Sequence, residues 1–208
     1  MQVIKQLNDE KVFAIIRIND VAEAYKRINE LIDAGIKIFE IMIENYPQVE
    51  LLERLIKEAK AFFIAGGIIT ERRALEVINI GVKTIISPIF QPSLIKMCQN
   101  YNVTVITTAT TPNEAYQAWK FRVPLIKIFP AKDMGAADYI RDILRPMPFL
   151  NIIATGSILT EEAVSYLDAG AFAVGIGRDL YEHKSFEEIK ETVSKLKNDI
   201  TEFKASKK

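Results

Sequence analysis

Cysteine and histidine are nearly missing from this chain: its 208 residues include one of each, Cys98 and His183. A single cysteine closes no internal disulfide, and no His/Cys cluster exists to hold zinc, copper, haem or an iron-sulfur centre; no cofactor is expected, and an oxygen-ligated Mg2+ site is the one metal alternative left open. Cys98 reads as a small buried residue on a helix. A charge surplus is missing too. The 27 Lys and Arg residues balance 27 Asp and Glu residues, which argues against a nucleic-acid partner, because such proteins carry a basic excess on at least one face. Long apolar runs are also lacking; stretches such as 62–65 fall far below the ~20 residues that cross a bilayer, so no membrane partner is expected. The first ten residues have neither the basic start nor the apolar core of a secretory signal, and the expected location is cytoplasmic.

What the chain does have is a repeat. Short β-rich runs recur at 12–17, 36–42, 61–65, 83–86, 103–106, 125–129, 151–154 and 171–175. Their spacing of roughly 20 to 26 residues is the length of one strand, one helix and two short connections. The runs are almost continuously apolar, as strands covered on both faces are. Between them, Asn19-Asp20 precedes a helical pattern over 21–32, Thr70-Glu71 one over 74–80, Thr111-Pro112-Asn113-Glu114 one reaching Trp119, and Thr160-Glu161-Glu162 one reaching Leu167. Gly35, Gly81 and Gly170 close helices and lead into strands, where a left-handed turn is needed; Arg122 holds the equivalent place before the sixth strand without glycine's freedom. A Glu- and Lys-rich helix is expected from Ser185 onward. No linker-like stretch interrupts the pattern, which predicts an α/β fold with residues 1–208 forming a single (β/α)8 TIM barrel of parallel strands. An open doubly wound sheet is the competing architecture, but the first strand is not followed by Gly-x-Gly-x-x-Gly.

In a barrel of this kind the active site lies at the C-terminal ends of the strands, so charges placed on strands become informative. Glu40 sits in Ile38-Phe39-Glu40-Ile41-Met42 and Lys127 in Ile126-Lys127-Ile128-Phe129. The two-residue strand period puts Glu40 on the face of Ile38 and Met42, and Lys127 on the face of Leu125 and Phe129. Strands two and six are opposite in an eight-stranded barrel, so both charges point into one central space. A buried ion pair without chemistry is one outcome. The other is Schiff-base catalysis, in which an amine kept from water attacks a ketone and a neighbouring carboxylate moves protons.

Thr155-Gly156-Ser157 after the seventh strand and Gly175-Ile176-Gly177 after the eighth occupy the usual phosphate position of such barrels, where small residues let backbone N–H groups approach an anion. Each alone also reads as a tight turn. Arg17, ending the first strand, is a further candidate anion ligand or a surface charge.

These residues together resemble the 2-keto-3-deoxy-6-phosphogluconate (KDPG) and 4-hydroxy-2-oxoglutarate (KHG) aldolase family over nearly the whole length, from Ala14-Ile15-Ile16-Arg17 to Val174-Gly175. Ile126-Lys127-Ile128-Phe129-Pro130-Ala131 is similar to the segment carrying the family's Schiff-base lysine, and Phe39-Glu40-Ile41 to its acid/base strand. Ser87-Pro88, Thr111-Pro112-Asn113-Glu114 and Thr155-Gly156-Ser157 match in order. The resemblance implies a class I aldolase that cleaves a 2-keto-3-deoxy (phospho)sugar acid or KHG to pyruvate and an aldehyde, glyceraldehyde 3-phosphate or glyoxylate. It implies catalytic Lys127 and Glu40, and substrate binding by Arg17, Gly66, Gly67, Pro88, Phe129, Thr155, Gly156, Ser157, Gly175 and Gly177. A homotrimer is implied as well. A relative that only binds a sugar phosphate, or a phosphosugar isomerase or epimerase using Glu40 alone, are the alternatives.

The chain departs from the family where a carboxylate should be held. Met42-Ile43-Glu44 replaces Thr-Leu-Arg, and Ile64-Ala65-Gly66-Gly67 replaces a segment ending in threonine. Either Glu44 points away or the substrate differs. The expectation is that Arg17, the backbone N–H groups of Gly66 and Gly67, and Thr107, Thr108 or Thr110 take over the anion-binding role.

Overall fold

The computed structural model describes residues 2–207. Eight parallel strands close into a barrel in chain order: β1 (Val12–Ile16), β2 (Ile38–Met42), β3 (Phe62–Gly66), β4 (Thr84–Ser87), β5 (Thr104–Ala109), β6 (Leu125–Ile128), β7 (Ile152–Thr155) and β8 (Ala173–Ile176), with β8 pairing back onto β1. Around them run α2 (Val21–Ala34), α3 (Tyr46–Glu58), α4 (Glu71–Asn79), α5 (Pro92–Asn100), α6 (Pro112–Lys120), α7 (Ala136–Leu144), α8 (Ala163–Asp168) and α9 (Phe186–Ser206). The predicted (β/α)8 barrel is the fold observed. Cys98 is buried on α5.

Alternation along the strands separates two cores. Val12, Ala14 and Ile16 of β1, Phe39 and Ile41 of β2, and Ile126 and Ile128 of β6 face the helices in the larger cluster. Phe13, Ile38, Phe62, Ile64, Ile86, Ile106, Leu125 and Ile153 fill the barrel itself. The period of two then places Glu40 inward with Ile38, and Lys127 inward with Leu125.

Helix boundaries follow the caps. Asp20 accepts from the Glu23 backbone N–H at 2.7 Å and Thr70 from that of Arg73 at 3.2 Å. Thr111 and Ser185 do the same for Glu114 and Glu188, each at 3.3 Å. Gly35, Gly81 and Gly170 take left-handed φ values of 108°, 101° and 105°. Arg122 adopts the same turn at φ 59°, and the N–H of Val123 returns to Ala118 O at 3.2 Å. Helix closure at this point therefore outweighs the cost of a left-handed non-glycine residue.

Residues 2–10, read above only for their lack of a secretory signal, form a helix, α1 (Gln2–Glu10). Val3 and Leu7 lie one turn apart and are 1% and 0% exposed. They join the interior cluster at the end from which the strands start, so the helix stoppers the barrel opposite its mouth. Burying a leucine this fully contributes about 1.5–3 kcal/mol. Among the described residues no helix is long and apolar enough to cross a membrane.

Candidate active site

Glu40 on β2 and Lys127 on β6 meet across the barrel. The Lys127 Nζ donates to both carboxylate oxygens of Glu40 at 3.1 Å, and the two side chains are 10% and 0% exposed. Each charge offsets the desolvation of the other, as a buried ion pair requires. The ammonium also lies 5.7 Å from the centre of the Phe129 ring, within range of a cation–π contact.

Glu40 reaches this position because Gly66 has no side chain. A Cβ at Gly66 would stand 2.5 Å from Glu40 Oε1, 2.6 Å from Cγ and 2.9 Å from Cδ. Gly66, on the neighbouring strand, thus leaves room for the carboxylate and does not itself line the open space. Gly67, with φ +76°, does line it, and a Cβ there would meet Met42 Cε at 3.0 Å.

Above the pair opens a cavity of about 880 Å³, bounded by Arg17, Gly67, Pro88, Phe129, Thr155, Gly156, Ser157, Gly175 and Gly177 together with Glu40 and Lys127. Of the catalytic and substrate-binding residues that the family resemblance implies, all but Gly66 border this one space. Gly156 at φ +111° and Ser157 at φ 52° turn the chain after β7. A Cβ at Gly156 would come within 2.8 Å of Pro130 Cα, so glycine is required there. Gly175 lies within β8, and a Cβ on it would collide with Phe13 Cζ at 2.4 Å; its smallness serves barrel packing. Thr155 closes β7, is 0% exposed, and its hydroxyl has no hydrogen-bond partner among the described residues.

Glu44 does not point away. It lines the cavity, and its Oε1 lies 3.7 Å from Arg17 Nε. The expected threonines do not act together. Thr107 and Thr108 belong to β5 itself rather than following it. Thr108 borders the cavity while donating to Ser87 O at 2.8 Å. Thr107 donates to Ile89 O at 2.9 Å, and Thr110 is engaged by Glu114 at 2.8 Å; neither borders the cavity, so the anion-binding expectation fails for both.

Sequence reasoning missed Tyr181. Its hydroxyl accepts from the Arg17 backbone N–H at 3.4 Å and donates to Ile15 O at 3.3 Å, tying the exit of β1 to the segment after β8, and burial raises its pKa. The only available signal was an aromatic residue close behind the Gly177 turn. Arg178, Glu182 and Lys184 of the same segment also reach the cavity.

With this geometry in place, comparison with known proteins gives a consistent result. Residues 3–196 match the family model described as aldolase, KDPG and KHG aldolase. The chain belongs to this aldolase family. Its members are carbon–carbon lyases, and this chain is one of them. A 2-dehydro-3-deoxy-6-phosphogalactonate aldolase of Escherichia coli (strain K12) is 29% identical over 174 residues, 82% of this chain and 84% of that one. A KDPG aldolase of Legionella pneumophila, solved with pyruvate captured at low pH as a covalent carbinolamine intermediate, superposes with a TM-score of 0.82 at 21% identity, covering 95% of this chain and 97% of that one. The KDPG aldolase of Zymomonas mobilis ZM4 with 3-phosphoglycerate gives a TM-score of 0.85 at 17% identity over 95% and 96% of the two chains. These two structures share the barrel.

Proposed function

We propose that this family member is a class I aldolase, cleaving a 2-keto-3-deoxy (phospho)sugar acid or KHG to pyruvate and an aldehyde through a Schiff base on Lys127. The observation that carries the reading is the Lys127–Glu40 contact of 3.1 Å at the floor of the cavity. A lysine on an inward strand face has a substrate-sized space above it and one carboxylate beside it.

In this mechanism a proton passes from Nζ to Glu40, and the neutral amine adds to the C2 carbonyl of the 2-oxo acid. Glu40 returns the proton to the carbinolamine hydroxyl, which leaves as water and produces the iminium. Deprotonation of the C4 hydroxyl breaks the C3–C4 bond, the aldehyde departs, and the bonding pair enters the iminium to form an enamine. Protonation at C3 and hydrolysis release pyruvate and restore the lysine. Glu40 is the carboxylate within reach of Nζ for these transfers. Ser157, Gly156 and Gly177 offer backbone N–H groups to a terminal phosphate or other anion, and the unpartnered Thr155 hydroxyl is available to the bound chain.

The working form in this reading is a cytoplasmic homotrimer, which light scattering of the purified protein tests for assembly. The activity test is a coupled assay of pyruvate release from KDPG, its galactonate epimer and KHG. Release from at least one of them, abolished in Lys127→Met, is expected; no release from any of the three overturns the aldolase reading. A relative that binds without turnover is the second reading, favoured by the acid that engages Arg17, and a covalent 2-oxo acid adduct without pyruvate release would identify it.

A further inference from the structure

Each cation that lines the cavity already has a partner from the chain itself. Lys127 is held by Glu40, Arg178 lies 3.8 Å from Glu182, and Lys184 Nζ donates to the backbone oxygen of Asp179. Arg17 is engaged by Glu44 at 3.7 Å. This last pair has a distinctive place. β1 and β2 are neighbours with Ile15 in register with Glu40, so Arg17, the first residue after β1, stands two residues and roughly 6.6 Å nearer the mouth than Glu40. A 2-oxo acid joined to Lys127 through C2 has its C1 carboxylate one bond from the reacting carbon, inside the cavity that Arg17 also lines, and a carboxylate held there needs a cation.

We infer that Glu44 is an internal substitute for the substrate carboxylate: it occupies the Arg17 guanidinium in the free protein and must yield it when a 2-oxo acid binds. The inference rests on the Schiff-base reading of Lys127. Two features make the exchange feasible. The pair is half-exposed, at 62% for Arg17 and 43% for Glu44, so the attraction is screened and the side chains can separate. Glu44 also has no fixed duty in capping α3, because the Asn45 backbone N–H is satisfied by the Gln48 side chain at 2.8 Å. The Arg17 backbone N–H is held by Tyr181, which keeps the root of the side chain in place as its partner changes.

The consequence is a specificity device. A substrate carboxylate must compete with Glu44, a neutral carbonyl compound need not, and free inorganic anions are kept off Arg17. Glu44 acts through Arg17 and is a positioning residue.

The test measures the half-saturating concentration of pyruvate for borohydride-trapped adduct on the full-length protein. Glu44→Gln, which keeps size and removes charge, should lower it about 3- to 10-fold, the range expected for releasing a screened ion pair and a nearby like charge. The effect should fall on KM, with kcat moving less than twofold, and inhibition by sulfate should strengthen. Methyl pyruvate, a neutral ester, should show no gain, and the gain with pyruvate should shrink when Arg17→Ala is added, since the part that comes from freeing Arg17 is then gone. An unchanged half-saturation in Glu44→Gln, an equal gain with methyl pyruvate, or a gain undiminished by Arg17→Ala overturns the inference while leaving the Schiff base intact. Failure of the unaltered protein to form an adduct with any 2-oxo acid overturns the Schiff-base reading, and this inference with it.

Discussion

Gly66→Ala is a one-carbon change with an outcome that follows directly from the site geometry. The added Cβ would lie 2.5 Å from Glu40 Oε1 and within 3 Å of Cγ and Cδ, so the whole side chain must move rather than its tip alone. Reaching an ordinary separation of 3.4 Å means a retreat of about 0.9 Å, and a misplacement of this order costs a catalytic group ~100-fold in rate. Glu40 is 0% exposed and walled in by the barrel interior, so the retreat also strains the packing. Overpacking of this kind costs about 1–3 kcal/mol. The assay pairs kcat for pyruvate release with a urea unfolding curve. Both a loss of stability in that range and a drop in kcat far exceeding any change in KM are expected. A Gly66→Ala protein with kcat within twofold of the unaltered enzyme would refute the claim that Gly66 sets the position of Glu40 against Lys127.

Three further outcomes are expected. Leu7→Ala, which opens a hole in the stopper of the barrel, should cost about 2–5 kcal/mol of unfolding free energy while KM for substrate stays put; a cost under 0.5 kcal/mol would mean that α1 is dispensable to the interior. Glu114 accepts from the backbone N–H and hydroxyl of Thr110, then from those of Thr111, which lowers its pKa from 4.5 to about 2. Its contribution is therefore whole above pH 4.5 and fades as pH falls toward 2. Since the side chain is exposed, the contribution discounts to ~1 kcal/mol; Glu114→Gln should show that deficit at pH 7 and converge with the unaltered protein in acid, and curves that stay parallel would contradict this. Burial pushes the Cys98 thiol up to about 11, so it should react with a disulfide reagent at pH 8 only at the rate of unfolding, and prompt labelling of the native protein would show the site to be open.

Much of the barrel was legible because its information is local. Two-residue alternation in Leu125-Ile126-Lys127-Ile128 and Ile38-Phe39-Glu40-Ile41 decides which side chains face inward, and the two inward charges face each other once eight strands are counted. Parity also separates Thr108 from Thr107, but only when the strand is known to run on to Ala109; ending it at residue 106 hid that distinction. The helix over Gln2–Glu10 was overlooked because Val3 and Leu7 have meaning only beside the interior they close. The pairing of Glu44 with Arg17 was out of reach for a different reason. It depends on how two side chains beyond adjacent strand ends extend over the same opening, and nothing periodic in either segment encodes that. Gly66 and Gly175 were expected to bind substrate, yet their smallness makes room for Glu40 and Phe13 respectively, which backbone-anion reasoning alone does not reveal.

The measurement closest to the central claim is borohydride reduction in the presence of pyruvate, followed by peptide mapping of the protein by mass. The account predicts one reduced pyruvyl adduct per chain, located on Lys127, absent from Lys127→Met and formed more slowly in Glu40→Gln. An adduct on any other lysine, or none with any 2-oxo acid, would contradict it.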